Sequence, residues 1–166
     1  SLPINVDEIP FSPEHLNRLD GFSIGSTLAV SFLEATLEGT VQWPALSDYQ
    51  NTDVKTIIID TQTQNRIPHT VERETLAENT SLLLLRPMIP LEHGRRYVVG
   101  IRNLVNEQGS ILSPTQGFIQ LLQNDQSNSD IARQHEYYQE NIFPPLKEEG
   151  FIKEELQIAW DFTTRT

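Results

Sequence analysis

The chain has 166 residues, of which 37% are hydrophobic and ten are proline, as expected for a single loop-rich globular domain. Its formal net charge of −11 repels phosphate backbones and anionic lipid headgroups, which argues against nucleic acid and membrane surfaces as partners. The chain has no cysteine, which excludes disulfides, thiol catalysis and cysteine-ligated zinc, and no apolar run approaches the roughly 20 residues that span a bilayer.

Short β-branched or alternating apolar segments separated by turn residues fill the first two thirds of the chain and predict a mainly β domain. The predicted strands are residues 28–32, 54–59, 67–73, 81–86 and 97–102, after an extended opening over residues 1–26. Pro68 lies in the third strand and indicates a sheet edge, because proline has no N–H to donate to a ladder. Residues 33–53 are expected to form a long surface connection.

The turn before the fifth predicted strand has a Leu-x-x-Gly-x-x-Tyr pattern formed by Leu91, Gly94 and Tyr97. Many β-sandwich domains have a tyrosine corner of this kind, in which the ring is buried and the hydroxyl bonds back to the turn backbone. In the strand that follows, Tyr97, Val99 and Ile101 fall on one face, because successive side chains point to opposite sides of a sheet. The pattern predicts a structural role.

Helical spacing replaces strand alternation over residues 113–150, which predicts a two-helix insertion. Ser113 to Gln116 has the spacing of a capping box and is expected to start the first helix. Ser129 is expected to cap the second helix, on which His135 falls among apolar positions and is expected to be packed and hydrogen-bonded. Pro144-Pro145 is expected to kink or restart this helix before Gly150 ends it.

The last segment, residues 156–163, returns to alternation and predicts a closing strand. Its inward side is expected to carry Leu156, Ile158, Trp160 and Phe162. Because this strand needs a sheet to join, the sequence predicts one domain over residues 1–166, an α+β fold that is mainly β with a helical excursion. The chain starts without Met, so we expect a domain excised from a longer chain, the alternative being a processed mature protein.

Three segments together resemble a known family. Asp20-Gly21-Phe22-Ser23, the corner up to Asn103, and the ending Trp160-Asp161-Phe162-Thr163 are similar to the N-terminal domain of certain secreted bacterial lipase- or esterase-like α/β-hydrolases. The longer segment from Ser81 through the corner to Gly109 resembles the bacterial Ig-like domains of S-layer and envelope proteins. The resemblance covers roughly residues 18–164. It implies an Ig-like β-sandwich, a secreted or cell-envelope location, and hydrolytic chemistry in a domain after Thr166.

A serine-hydrolase motif is also present, because residues 21–25 fit the G-x-S-x-G pattern around Ser23. The nucleophile elbow needs a strand before the serine and a helix after it. Here the motif precedes a predicted strand, so we interpret it as a glycine-rich turn. A small esterase that uses Ser23 is the weakest of three functional hypotheses.

Metal sites and general bases find little support in the sequence. The chain has four histidines, which show no zinc-ligand spacing: His15, His69, His93 and His135. His93 lies in the corner turn and is expected to be exposed. Four residues from Asp125 to Glu136 fall at EF-hand positions, but Asp130 stands where that loop needs glycine. We expect no metal, no cofactor and no catalytic residue in this chain.

The two leading hypotheses belong to different functional classes. The first is a non-catalytic accessory domain that packs on and orients a following hydrolase domain. The second is a free-standing adhesion or carbohydrate-binding module of the cell envelope, with Trp43 and Tyr49 as its aromatic platform. Trp160 is expected to face inward, and Asp161 is expected to bond backbone at the end of the sandwich.

Overall fold

The computed structural model describes residues 23–76, 80–124 and 126–166, and most of the predicted extended opening lies outside these ranges. The described residues contain six strands: β1 Leu28–Leu33, β2 Thr56–Asp60, β3 His69–Thr75, β4 Thr80–Pro87, β5 Arg96–Arg102 and β6 Leu156–Thr163. They form two antiparallel three-stranded sheets, ordered β1-β4-β3 and β2-β5-β6. The mainly β class, the predicted strands and the edge position of the strand after Pro68 are confirmed.

The facing sides of the two sheets share one apolar core. Strand β1 buries every second residue, as its alternating sequence predicts. Val30 and Leu83 from one sheet meet Val99 and Trp160 from the other in a single cluster of buried side chains. Tyr97, Val99 and Ile101 all belong to this cluster, so the predicted inward face of the fifth strand is confirmed.

The helical insertion covers the other face of the sheet β2-β5-β6. It contains three helices rather than the predicted two: α1 Gln116–Gln123, α2 Ser129–Asn141 and α3 Phe143–Glu148. The proline pair accounts for the difference, because Pro144 and Pro145 stand in the first turn of α3, where a missing N–H costs nothing. The helices and the sheet share a second cluster, and every residue of β2 is therefore buried.

Both predicted helix caps are wrong by one or two residues. Thr115, not Ser113, is the N-cap residue of α1, because the Thr115 N–H donates to Gln157 O at 3.1 Å and holds the chain on β6 before the helix begins. Asn128, not Ser129, caps α2. Its Oδ1 accepts the N–H groups of Asp130 and Ile131 at 3.0 and 3.3 Å.

The closing strand departs from strict alternation at its start. A register shift places Leu156 opposite Arg102 while Ile158 stays opposite Ile101. Leu156 therefore packs with the helices and not between the sheets, contrary to prediction. The side chain of Gln157 turns to the neighbouring loop, where its Oε1 accepts the Leu104 N–H at 2.8 Å.

The connection over residues 33–53 follows the surface but is anchored at several points. It contains a 3₁₀ helix, Leu46–Gln50. Ala35 and Val41 are completely buried, one in each of the two clusters. Most of the segment lies at the surface, as predicted, and its two buried side chains fix its path over the two sheets.

Gly100 is expected to be the position where the outer face of β5 tolerates a side chain least. A Cβ at Gly100 would lie 2.8 Å from Cδ2 of Leu146, a completely buried residue of α3. Gly100→Ala should therefore lower the free energy of unfolding by about 1–3 kcal/mol in urea titrations. Gly25→Ala is the control, since nothing lies within 4 Å of its Cβ position. A change in Gly100→Ala no larger than in the control would contradict the close packing of α3.

Candidate functional site

The corner turn joins β4 to β5, and both the ring and the hydroxyl of its tyrosine are fixed by contacts. Tyr97 is 1% exposed, and its ring stacks on Phe162 with centroids 5.5 Å apart. Its hydroxyl accepts the Glu92 N–H at 2.9 Å. Leu91 is buried beneath the turn, and Gly94 has a φ of +61°, which a residue with a Cβ adopts at a cost.

Residues 164–166 are fastened to this corner. The Thr164 hydroxyl donates to Glu92 O at 2.5 Å and accepts the Arg95 N–H at 3.0 Å. The Gly94 N–H donates to Arg165 O at 2.9 Å. These bonds come from three positions of the turn, so residues 164 and 165 are held in one defined direction beside the corner.

An open groove of about 620 Å³ lies next to the corner. Its walls come from segments that are distant in sequence: the 3₁₀ helix with Tyr49, the β2–β3 turn with Asn65, the start of the corner with Ile89, and the end of α3 at Glu149. The volume is within the range of sites that hold small ligands. The groove combines such a volume with fixed charged groups.

The floor of the groove is an ion pair between Asp60 and Arg95. The Arg95 Nη1 lies 2.6 Å from Asp60 Oδ2, and Asp60 is 4% exposed. Burial alone would raise the pKa of Asp60, but the Arg95 guanidinium and the Gln62 N–H outweigh burial and hold it below the ordinary value. Asp60 is therefore a fixed carboxylate and not a proton donor near neutral pH.

Arg66 holds the wall of the groove together. Its Nε lies 2.6 Å from Glu149 Oε2, and its Nη1 donates to the backbone oxygens of Tyr49 and Asn51 at 3.1 and 3.0 Å. Its Nη2 donates to Glu149 O at 3.1 Å. One planar guanidinium therefore joins three segments in a fixed arrangement.

Asp161 does not bond backbone as the sequence suggested. It lies on the helix side of β6, where its Oδ2 accepts from Arg96 Nη1 at 3.0 Å and from the Tyr137 hydroxyl. Burial and the bond to Asp161 raise the pKa of Tyr137 to about 12. The arrangement ties α2 to the sheet. Trp160, one residue earlier, is 2% exposed between the sheets, in the predicted orientation.

Ser23 lies in an exposed turn that leads into β1. Its Oγ accepts the Gly25 N–H at 3.4 Å, and no helix follows it. Within the described ranges, no histidine or carboxylate hydrogen-bonds its hydroxyl. The geometry is that of a glycine-containing turn before a strand, which is not a nucleophile elbow.

The described histidines are separate from one another. His93 is exposed, with Nδ1 at 3.2 Å from Arg165 O, and Nδ1 of the half-buried His135 lies 2.9 Å from Leu121 O. His69 is 1% exposed and lies between Thr56 Oγ1 and Ile67 O, at 2.8 and 2.9 Å. In the part of the chain that the structure describes, no group of three acidic or histidine residues is arranged to hold a metal ion. His15 and Asp125 lie outside that part.

Protonation of His69 is expected to destabilise the fold in acid. Burial lowers its pKa from 6.5 to about 4, so between these values the unfolded chain binds a proton that the folded chain does not. The free energy of unfolding should be undiminished above the unfolded pKa and fall by about 3 kcal/mol as the pH drops through the folded one. Urea titrations across this range should show that His69→Gln loses this component. His93→Gln, at an exposed ring, should keep it, and parallel curves for all three proteins would contradict the prediction.

The two residues of the predicted aromatic platform have different environments. Trp43 is 76% exposed. Tyr49 is half-buried, packs against the cluster beneath the helices and lines the groove. Sequence reasoning singled out Tyr49 but missed Asp60, Arg66 and Arg95, because the bonds of the two arginines reach partners 15 to 83 residues away and no local pattern marks them.

Comparisons of the chain with protein-family models, with curated proteins and with solved structures give no significant match. No helix in the described ranges has the length and apolar character needed to cross a membrane. The function is therefore inferred from the corner, the groove and the connectivity of the two sheets.

Proposed function

We propose that the chain is a non-catalytic, Ig-like accessory domain that packs on and orients a lipase- or esterase-like α/β-hydrolase domain following Thr166. The observation that carries this proposal is the attachment of residues 164–166 to the tyrosine corner. Because Thr164 and Gly94 bind the last strand to the turn, a domain that continues from Thr166 starts from a fixed point and direction. A fixed exit is what an orienting domain needs.

The strand connectivity supports the Ig-like assignment. The sheet orders β1-β4-β3 and β2-β5-β6 have the same connectivity as strands B-E-D and C-F-G of the immunoglobulin fold. In that assignment β5 is strand F, and Tyr97 stands at its start, where the tyrosine corner of these domains is found. The correspondence includes all six described strands. It leaves the helical insertion between F and G as the addition that distinguishes this chain.

The use of polar groups supports a non-catalytic role. Buried or half-buried charged groups such as Asp60, Asp161 and Arg102 are bonded to partners that join secondary-structure elements. A nucleophile with an adjacent base is the minimum for hydrolytic chemistry by a serine. Ser23 has no such base among the described residues. By the family resemblance, we place the protein in the secreted or cell-envelope compartment.

Hydrogen–deuterium exchange tests the docking. Exchange at residues 92–95 and 164–166 should be slower in the full-length gene product than in residues 1–166 alone, because a docked domain covers the exit. Residues 129–141 of α2 serve as the internal control and should exchange equally in both. Equal exchange at the corner in the two proteins would refute an orienting contact at this end of the sandwich.

A free-standing adhesion or carbohydrate-binding module is the second candidate function. The observation in its favour is the exposure of Trp43, the largest apolar side chain on the described surface. A glycan array compares the wild type with Trp43→Ala. Specific signals that disappear in the variant would support this function over the accessory role, whereas signals that Trp43→Ala retains would not come from this residue.

A further inference from the structure

The groove beside the corner has the structure of a preformed ligand site. Its volume of about 620 Å³ is defined by walls that Arg66 joins through four hydrogen bonds. Asp60 on the floor is 4% exposed and is fixed by Arg95 and by the Gln62 N–H. A ligand that enters such a groove does not have to order it first, which removes a large part of the usual cost of binding.

The charges of the groove favour a neutral ligand. Five charged residues line it, two arginines and three carboxylates, and two of the carboxylates are bonded to the arginines. The remaining one is the exposed Glu92. An anionic ligand would meet this carboxylate and the net charge of −11 of the whole chain. A cation would have to compete with the guanidinium groups for carboxylates that they already neutralise.

The hydrogen-bonding groups favour a ligand with many hydroxyls. A hydroxyl donates one bond and accepts two, so it matches a wall that offers donors and acceptors together. Three amide side chains line the groove, those of Gln50, Gln64 and Asn65. Gln50 Nε2 donates to the Tyr49 hydroxyl and Gln64 Nε2 donates to Pro145 O, so the side-chain oxygens of these two residues remain as acceptors. Among the bonds of the described residues, the Asn65 side chain has no partner, which leaves its carbonyl oxygen and its N–H groups for a ligand.

Apolar residues also line the groove. Pro68, Ile89 and Pro90 line it, and the Ile89 side chain is 46% exposed. The ring of Tyr49 adds an aromatic surface. A pyranose ring has C–H faces that pack on such surfaces and hydroxyl edges that bond to amides. We infer that this groove binds a neutral saccharide, at a site separate from Trp43. Glu92 and Arg95 line this groove and also lie in the turn that the proposed domain would cover, so the saccharide site is tested on residues 1–166 alone.

NMR titration of residues 1–166 tests this site. The probes are neutral trisaccharides of glucose and of N-acetylglucosamine, with an oligogalacturonate of equal length and glycylglycine as acidic and zwitterionic probes. A neutral trisaccharide should produce saturable shifts at the backbone amides of Gln64, Asn65 and Arg66. Asn65→Ala should weaken binding about fivefold, the effect of one lost hydrogen bond. Ile89→Ser should weaken it through loss of an apolar contact.

Two matched controls keep these variants interpretable. Gln62→Ala changes an exposed amide residue on the same turn that does not line the groove, and Ile111→Ser changes an isoleucine that is 67% exposed elsewhere. Both should bind as the wild type does. Failure of both neutral trisaccharides to produce saturable shifts would overturn the inference. So would shifts centred on Trp43, binding of the galacturonate or dipeptide alone, or equal weakening in variants and controls.

Discussion

Trp160→Ala is expected to lose about 3–5 kcal/mol of the free energy of unfolding, the range measured when a large aromatic side chain is removed from a core. Trp160 is 2% exposed and lies between the sheets with residues from both. Its removal leaves a cavity that β6 cannot close, because β6 is hydrogen-bonded to β5 along its length. For a domain of this size the melting temperature should fall by roughly 10 °C or more.

The second tryptophan of the chain provides the matched control for this prediction. Trp43 is 76% exposed, so Trp43→Ala should change the free energy of unfolding by no more than about 0.5 kcal/mol. Urea unfolding followed by circular dichroism measures both variants on one scale. Similar losses in the two variants, or a stable Trp160→Ala protein, would show that the two sheets do not share one core around Trp160.

Arg102→Met is expected to be the most destabilising change of a charged residue, at about 3 kcal/mol. The guanidinium donates to the backbone oxygens of Val54, Gly150 and Thr52 at 3.2, 2.7 and 2.6 Å, and it lies 3.9 Å from the centre of the Phe151 ring. Methionine retains much of the side-chain volume but leaves these three oxygens, including the buried one of Val54, without their donor. The residues that lead into β2, Thr52 and Val54, then lose the side chain that connects them to Gly150 after α3.

Two further substitutions separate geometry from charge at this position. Arg102→Lys should recover only part of the loss, because one ammonium cannot reach three divergent carbonyls or stack on the ring as a planar group does. Arg133→Ala is the control, since that side chain is 76% exposed and pairs with Asp130 at the surface. If Arg102→Lys equals the wild type in urea titrations, charge alone accounts for the role of Arg102.

Local patterns predicted those parts of the fold that local physics determines. Alternation in residues 28–33 has a direct cause, because a strand with one buried face must place every second side chain inward. The corner was also recognisable, since Leu91, Gly94 and Tyr97 form a short motif in which the Tyr97 hydroxyl accepts the N–H of the nearby Glu92. The sequence also predicted that the strands share one core, because each strand needs a neighbouring strand to pair with.

Features that depend on distant contacts were not predictable in this way. The cap of α1 shifted because Thr115 is held by the distant Gln157. The cap of α2 is an exception, because Asn128 makes local bonds to the N–H groups of Asp130 and Ile131. The shift of Leu156 comes from the register of β6 against β5. The groove depends on Arg66, whose role appears only when residues 49–51 and 149 are brought to it.

The proposed role is that this chain orients a hydrolase domain and does not itself hydrolyse. Fluorophosphonate labelling of the full-length gene product, followed by peptide mapping of the modified serine, tests this proposal. We expect a labelled serine beyond Thr166 and no label on residues 1–166. A label on Ser23, abolished in Ser23→Ala together with ester hydrolysis, would contradict it.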